Sequence, residues 1–369
     1  MADRGEWDDA DVICEVPIEL LFTDLDVISS QSVHLIERFT DAWYEHHLQY
    51  SNISIMRFTP HRELYRYLMG LSGSAAAYQD WYDKIYSTRG LAPPMVPDKL
   101  LLQRRMEFIN MNNELSVQSS FYRDHPIEAS YNPSGYFNIK DGHHRAAFLY
   151  CRGFRRVFVK MSASDHRHWR NDQQAAAVQS LIERQQRRLI YTPILNPAFY
   201  DWNSERDEVY PSRLDIILQY LGPYSLQGTR VIDIGCNIGY HARCFTREGA
   251  KVTGVEHDPN HVEMLNELNR LERTWFDVVP LPFQQAEVGK YDIGVLLTVL
   301  YHIMKDEEEC RAFLRKIDAS VEHLLFWESG DEIEAEKRLL LANTGFLYYE
   351  KLADTAGTGK YRELGVFLK

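Results

Sequence analysis

The 369-residue chain has no run of about 18 apolar residues, so no segment reads as a membrane span. Its five cysteines (Cys14, Cys151, Cys236, Cys244, Cys310) are odd in number, scattered and never spaced CxxC. That pattern excludes a disulfide framework or a zinc cage as the organising device and predicts reduced thiols. Positive charge is scarce: the formal net charge is −12, and the first fifty residues hold twelve Asp/Glu against two Lys/Arg. A nucleic-acid partner wants a basic footprint, so this balance disfavours one. The local basic groups (Arg152, Arg155, Arg156, Lys160 and QQRR ending at Arg188) lie among acidic neighbours and fit solvated faces. The opening MADRGEWDDADV lacks a basic-plus-apolar signal pattern, from which a cytoplasmic location is expected. Internal repeats and low-complexity tracts are also missing.

What is present begins with VIDIGCNIGYHA at Val231 to Ala242, followed by VTGVEHD at Val252 to Asp258. Val231, Ile232 and Ile234 read as a buried parallel strand, Gly235 and Gly239 as a tight turn, and a helix follows at once. Glycine is needed there because a Cβ would block close approach of the backbone to a ligand. A second strand, Lys251 to Val255, ends in Glu256, and a carboxylate at that strand end suits the two donor hydroxyls of a ribose. A dinucleotide fingerprint would want glycine at 237 and 240, where Asn237 and Tyr240 stand, so the loop is poorly suited to a pyrophosphate.

Asp233, Gly235, Cys236, Asn237, Gly239 and then Glu256 resemble the first two motifs of class I S-adenosylmethionine-dependent methyltransferases. The resemblance implies that these residues bind the cofactor, with Glu256 on the ribose. KYDIGVLL (Lys290 to Leu297) and TVLYHI (Thr298 to Ile303) resemble the family's fourth strand and the loop beside the methyl group, which adds Thr298 to the cofactor set and His302 as a catalytic base, with Tyr301 as a second candidate. His302 reads equally well as a loop-supporting hydrogen-bonder. A third strand near Trp275 to Val279 would bring Asp277 towards the adenine. The strand Leu324 to Glu328, a helical pattern to Asn343 with Gly345 as its C′ cap, and a hairpin from Phe346 to Lys369 around Gly357, Thr358 and Gly359 complete the order. The helix before the first strand is expected over Arg206 to Leu221, with Leu214, Ile217, Leu218 and Leu221 on one face.

The chain exceeds the usual single-domain length, so two cores are expected. In the N-terminal half, IKDGHHRAAFLYCRG (Ile139 to Gly153) reads as a strand ending at Asp141, a turn at Gly142, and a helix (Ala146 to Cys151) with His143, His144 and Arg145 at its mouth. Imidazoles and a guanidinium beside unsatisfied backbone N–H groups suit a phosphate; paired histidines also fit a capped polar surface helix. With the opening strand and turn EVPIELLF (Glu15 to Phe22) and the strand RVFVKM (Arg156 to Met161), the segment resembles the ParB/sulfiredoxin-like fold. That resemblance implies nucleotide phosphates on Gly142 and His143, and a kinase-like chemistry carried by Asp141, His144 and Arg145 with ATP or another nucleotide and Mg2+. Asp165, His166 and His168 read as surface residues rather than metal ligands, because a spacing of two does not align imidazoles on a helix face, and no metal site is expected. The aromatics Trp43, Tyr44, Tyr78, Trp81, Tyr82 and Tyr86 read as core before sugar platform.

The expected architecture is α/β: a ParB/sulfiredoxin-like α+β domain at 12–162, a helical linker at 163–204, and at 205–369 a doubly wound, Rossmann-like methyltransferase sheet closed by an antiparallel hairpin. The expected activity is a SAM-dependent methyltransferase coupled to an ATP-dependent phosphotransferase, forming a methyl phosphate on a bacterial surface glycan end. A small-molecule or glycan acceptor and association with glycan-assembly enzymes go with it. The alternative is a methyltransferase whose N-terminal domain senses nucleotide or docks a partner without turnover.

Overall fold

The computed structural model describes residues 10–33, 46–87, 90–117, 120–206, 209–222, 226–357 and 359–369. Thr358 of the hairpin turn, and Trp43 and Tyr44, lie outside them. The chain divides into two compact units. The first comprises Met1–Ser29, Gln49–Ala175 and Leu195–Ala198; the second comprises Ser30–Leu48, Ala176–Ile194 and Phe199–Lys369.

The first unit opens with β1 (Asp11–Pro17), a short 3-10 turn (Ile18–Leu20), β2 (Leu21–Val33) and β3 (His46–Ser54). Helices α1 (Thr59–Leu68), α2 (Ala76–Ser87), α3 (Pro97–Val117) and α4 (Phe121–Asp124) follow. Then come β4 (Ile127–Asn132), β5 (Tyr136–Asp141), α5 (His143–Cys151), β6 (Arg156–Ser162) and α6 (Ala163–Arg170). The mixed sheet has the order β1-β6-β4-β5-β2-β3. The polar stretch expected as one linker helix is interrupted at Asn171, whose φ of 46° ends α6 before α7 (Asp172–Arg184) begins. Beside the sheet, α1, α2 and α5 enclose an aromatic interior in which Phe58, Trp81 and Tyr78 surround His61.

The second unit contains α8 (Arg213–Leu221), β7 (Arg230–Ile234), α9 (Tyr240–Arg247), β8 (Lys251–Val255), α10 (Pro259–Glu272) and β9 (Asp277–Val279). It continues with β10 (Tyr291–Leu297), α11 (Leu300–Ile303), α12 (Glu307–Ser320), β11 (Val321–Glu328), α13 (Ile333–Asn343), β12 (Tyr348–Gly357) and β13 (Lys360–Leu368). The sheet order is β12-β13-β11-β10-β7-β8-β9. Strands β11, β10, β7, β8 and β9 are parallel, and β13 and β12 add antiparallel at one edge. Strand order reverses between β7 and β10, which opens a crevice at their carboxyl ends, the general ligand position of such sheets. Ile232, Ile234, Leu296, Leu325 and Trp327 form the core beneath it with Phe313 of α12.

Two local expectations change. The lead-in helix begins at Arg213, not Arg206: Ser212 and Asp215 form a reciprocal capping box there, and Pro211, just before the cap, cannot donate a helical N–H. Gly345 does not close α13 in a left-handed turn; the helix ends in extended backbone at Thr344, and the Gly345 N–H is held by Asp318 Oδ1 at 2.7 Å.

His61 is 1% exposed, and neither ring nitrogen has a hydrogen-bond partner among the described residues. Burial, reinforced by His144, His143 and Arg104, holds its pKa well below the ordinary value, so it folds as neutral imidazole. The unfolded chain binds a proton below about pH 6.5 that the folded chain refuses, so this contribution to stability is intact above that pH and is lost as pH falls from there towards the folded pKa. The expected slope is about 1.4 kcal/mol per pH unit in that window. Hydrogen exchange of the α1 and α5 amides at pH 5.5 and 7.5 should show the loss in wild type and a smaller one in His61→Phe; equal pH dependence would exclude the assignment.

Candidate functional site

The crevice at the switch point is a cavity of about 650 Å3. Glu256, at the carboxyl end of β8, is held by three backbone donors. Its Oε1 accepts the N–H groups of His257 (2.8 Å) and Asp258 (2.9 Å), and its Oε2 accepts that of Asn237 (2.9 Å). Burial works to raise its pKa, but hydrogen bonding from His261 and these backbone donors outweighs it, and the group stays below the usual range, hence ionised. The backbone donors and His261 crowd Oε1, whereas Oε2 accepts from Asn237 alone and keeps acceptor capacity.

Asp258, two residues on, caps α10 by accepting from the N–H of Asn260 at 2.7 Å, with Pro259 at the first helical position. The Gly-containing turn combines a local constraint with a distant one. Gly235 has φ +74°, and a Cβ there would lie 2.7 Å from Val299 Cγ2. Asn237 takes φ 52° and satisfies the Ile238 N–H with its own Oδ1 at 2.8 Å. Both line the cavity, as do Glu256, Thr298 and His302.

The other sequence-selected residues of this half lie elsewhere. Gly239 has φ +78°, and a Cβ there would meet Phe276 and Leu265 of α10 at 3.0–3.1 Å; it does not line the cavity. Cys236 is buried behind the turn, and its sulfur would meet a Cβ added at Gly254 at 2.9 Å. Asp233 is buried beneath it; burial raises its pKa to about 7, against the Ala242 N–H and Arg213. Asp277 is exposed at the start of β9 and does not line the cavity. The wall on that side comes instead from the loop after β9, with Leu281 and Phe283.

The opposite side of the cavity is built from distant segments. Thr298 has φ 59°, and its hydroxyl donates to Glu328 Oε2 at 3.1 Å. Glu328, fully buried at the end of β11, also receives Arg206 Nη2 on both oxygens (2.6 and 2.7 Å), Arg213 Nη1 (3.2 Å) and Thr355 Oγ1 (2.7 Å). Burial pushes its pKa up, and the two guanidinium groups bring it below the ordinary value. The Tyr191 ring lies 6.0 and 5.9 Å from the Arg206 and Arg213 guanidinium carbons. His302, exposed on α11, has its ring centre 3.8 Å from that of Tyr301. Burial, Lys305 and Arg362 depress its pKa, leaving a neutral imidazole able to accept a proton. Sequence reading passes over Tyr191, Arg206 and Arg362 as site residues; the one local signal is Glu328 itself, a carboxylate closing the apolar run LLFW.

In the first unit, Gly142 (φ +94°) caps α5, and a Cβ there would lie 3.0 Å from Arg145 Nη2. Arg145 folds back to donate to Asp141 Oδ2 (2.9 Å) and Pro126 O (3.2 Å), with the Asp141 carboxylate mostly exposed. His144 turns inward: its Nδ1 is 3.0 Å from the Tyr65 hydroxyl and its ring 4.1 Å from that of His61. It is thus part of the aromatic interior, while Asp141 and Arg145 stay together at the rim. Among the described residues, Asp292, Glu322 and His323 form the one cluster with metal-ligand spacing; Arg230 and Lys290 already pair with its carboxylates.

Residues 205–351 match the family model described as a methyltransferase domain, which places such a domain in the C-terminal half. The ubiquinone biosynthesis O-methyltransferase of Sodalis glossinidius is 32% identical over 112 residues, 30% of this chain and 44% of that one. The tRNA U34 carboxymethyltransferase of Saccharophagus degradans is 30% identical over 135 residues, 35% of this chain and 40% of that one. The matched region therefore spans less than half the length of these relatives. Among solved structures, the bifunctional kinase-methyltransferase WbdD is 17% identical, with a TM-score of 0.42, over 52% of this chain and 45% of that chain.

Glu328→Gln should destabilise the second unit by about 3–5 kcal/mol, because two buried guanidinium groups lose their shared counter-charge. Asp331→Asn, which removes the exposed pair with Lys360, should leave stability nearly unchanged, because solvent screens that pair. Denaturant unfolding of both variants checks the contrast; similar losses would refute it.

Proposed function

We propose that the chain is a methyltransferase using S-adenosylmethionine, with the crevice between β7 and β10 as its active site. The observation that carries this reading is Glu256: an ionised carboxylate, fixed by three backbone N–H groups, facing a cavity at the switch point of a parallel sheet. The residues fit the cofactor. Glu256 offers an acceptor for ribose hydroxyls, Leu281 and Phe283 offer an apolar wall for a base, and the turn from Gly235 to Asn237 brings the backbone close.

When bound, the cofactor supplies a sulfonium methyl group to a nucleophile, which attacks in line while sulfur takes the bonding pair. The chain's own task is alignment, and for an acceptor with a proton to lose, removal of that proton. Neutral His302, at the cavity edge beside Tyr301, is the group we assign to proton removal; an acceptor that is already an anion needs only positioning.

We further read the first unit as a nucleotide-binding, ParB/sulfiredoxin-like domain, with phosphates at the mouth of α5. Gly142, His143 and Arg145 are the binding groups, and Asp141 is the carboxylate that would act as base or hold Mg2+ with ATP. The support is the left-handed Gly142 turn opening a nine-residue helix, with Arg145 and Asp141 paired at its rim. His144 enters this reading as a support of the turn from beneath. A phosphotransferase there would create the oxyanion that the second unit methylates, consistent with a glycan end as acceptor. The competing role, nucleotide sensing or docking, differs in having no acceptor-dependent turnover.

Titration calorimetry tests the first reading: Glu256→Ala should weaken S-adenosylmethionine binding by about 1–3 kcal/mol. Unchanged affinity in a folded variant would remove the ribose role. For the first unit, Arg145→Ala should reduce ATP binding while leaving S-adenosylmethionine affinity intact, and Asp141→Asn should lower ADP release more than ATP affinity. Wild-type protein that binds no nucleotide would overturn the second reading alone.

A further inference from the structure

Arg362, on β13, is 4% exposed and lines the cavity. Its one hydrogen bond among the described residues runs from Nη1 to Ser329 O at 2.9 Å, and its buried Nε has no acceptor. No carboxylate among the described residues lies within ion-pair distance of it. Its guanidinium carbon lies 5.6 Å from the centre of the Tyr301 ring, a contact that offsets only part of the cost of a buried charge. Glu336 is buried nearby, but its oxygens are taken by the Gly330 N–H (2.7 Å) and Trp327 Nε1 (3.1 Å). Burial, opposed by these donors and Arg362, raises the Glu336 pKa to about 7, so it is not a full counter-charge. Arg206, by contrast, spends its guanidinium on Glu328. The cavity thus contains one buried guanidinium that makes no ion pair among the described residues, next to Tyr301 and His302; Asp331 is near enough to feel its charge but is exposed and paired with Lys360.

We propose that Arg362 is the acceptor-recognition residue of this cavity and that the methyl acceptor carries an oxyanion, a carboxylate or a phosphate, which pairs with it. This inference rests on the methyltransferase reading and adds the chemical class of the acceptor. A planar guanidinium with free donors favours the two-oxygen edge of such a group, and the unpaired charge is costly in the free protein because it is kept for the ligand.

The test uses the full chain saturated with S-adenosylhomocysteine and titrated with phenyl phosphate, benzoate and neutral benzyl alcohol. Wild type should bind at least one anion about tenfold or more tightly than the alcohol, and the preferred anion distinguishes phosphate from carboxylate. Arg362→Met should lose that preference, keep S-adenosylhomocysteine affinity within about twofold, and unfold at an equal or higher temperature, since it removes an unpaired buried charge. Arg362→Lys, which retains the charge, should keep part of the preference and serves if the methionine variant does not fold. Anion binding no better than alcohol binding, unchanged anion binding in both variants, or a parallel loss of S-adenosylhomocysteine would overturn the proposal. Wild type that fails to bind S-adenosylhomocysteine would instead overturn the methyltransferase reading beneath it.

Discussion

The second unit depends on one buried carboxylate. Glu328 closes β11, where the apolar strand ends and the cavity begins, and gathers donors from four other segments: Arg206 from the lead-in, Arg213 from α8, Thr298 after β10 and Thr355 from β12. A lone carboxylate buried there would be heavily penalised; with two guanidinium groups it is the site's electrostatic centre. The arrangement also fixes Thr298 in its left-handed conformation, and with it the start of the loop carrying Tyr301 and His302. Position on this side of the cavity is therefore set by an ion network rather than by apolar packing alone.

The cavity's two sides differ in origin. On the Glu256 side, the constraints on the carboxylate are short in sequence: it bonds the next two backbone N–H groups and one nineteen residues back, and Asp258 caps the following helix. On the other side, Glu328 reaches Arg206 across 122 residues and Arg213 across 115. Local chemistry suffices to build the Glu256 side, whereas the opposite wall requires the whole sheet and its antiparallel edge to be in place.

In the first unit, the motif DGHHR separates into groups with different tasks. Gly142 takes the left-handed turn, Asp141 and Arg145 pair at the surface, and His144 joins His61, Tyr65 and Tyr78 in the interior. A linear motif cannot distinguish these, because adjacent residues in a first helical turn point about 100° apart and the partner elements come from α1 and α2.

By itself the sequence determined the parallel strands around the glycine turn, with β8 over Lys251 to Val255, the order of elements up to the closing hairpin, and the placement of Glu256 at a strand end. These follow from apolar runs, glycines and caps, whose physics acts within a few residues. Tertiary structure decided that Arg206 lies outside the helix and on Glu328, that Gly239 packs against Leu265 and Phe276, that Asp277 stays away from the cavity while Leu281 and Phe283 line it, and that Arg362 is buried without an ion pair among the described residues. Burial and charge pairing depend on which distant segments meet, and an arginine in a strand carries the same local signal whether it ends in water or in a cavity.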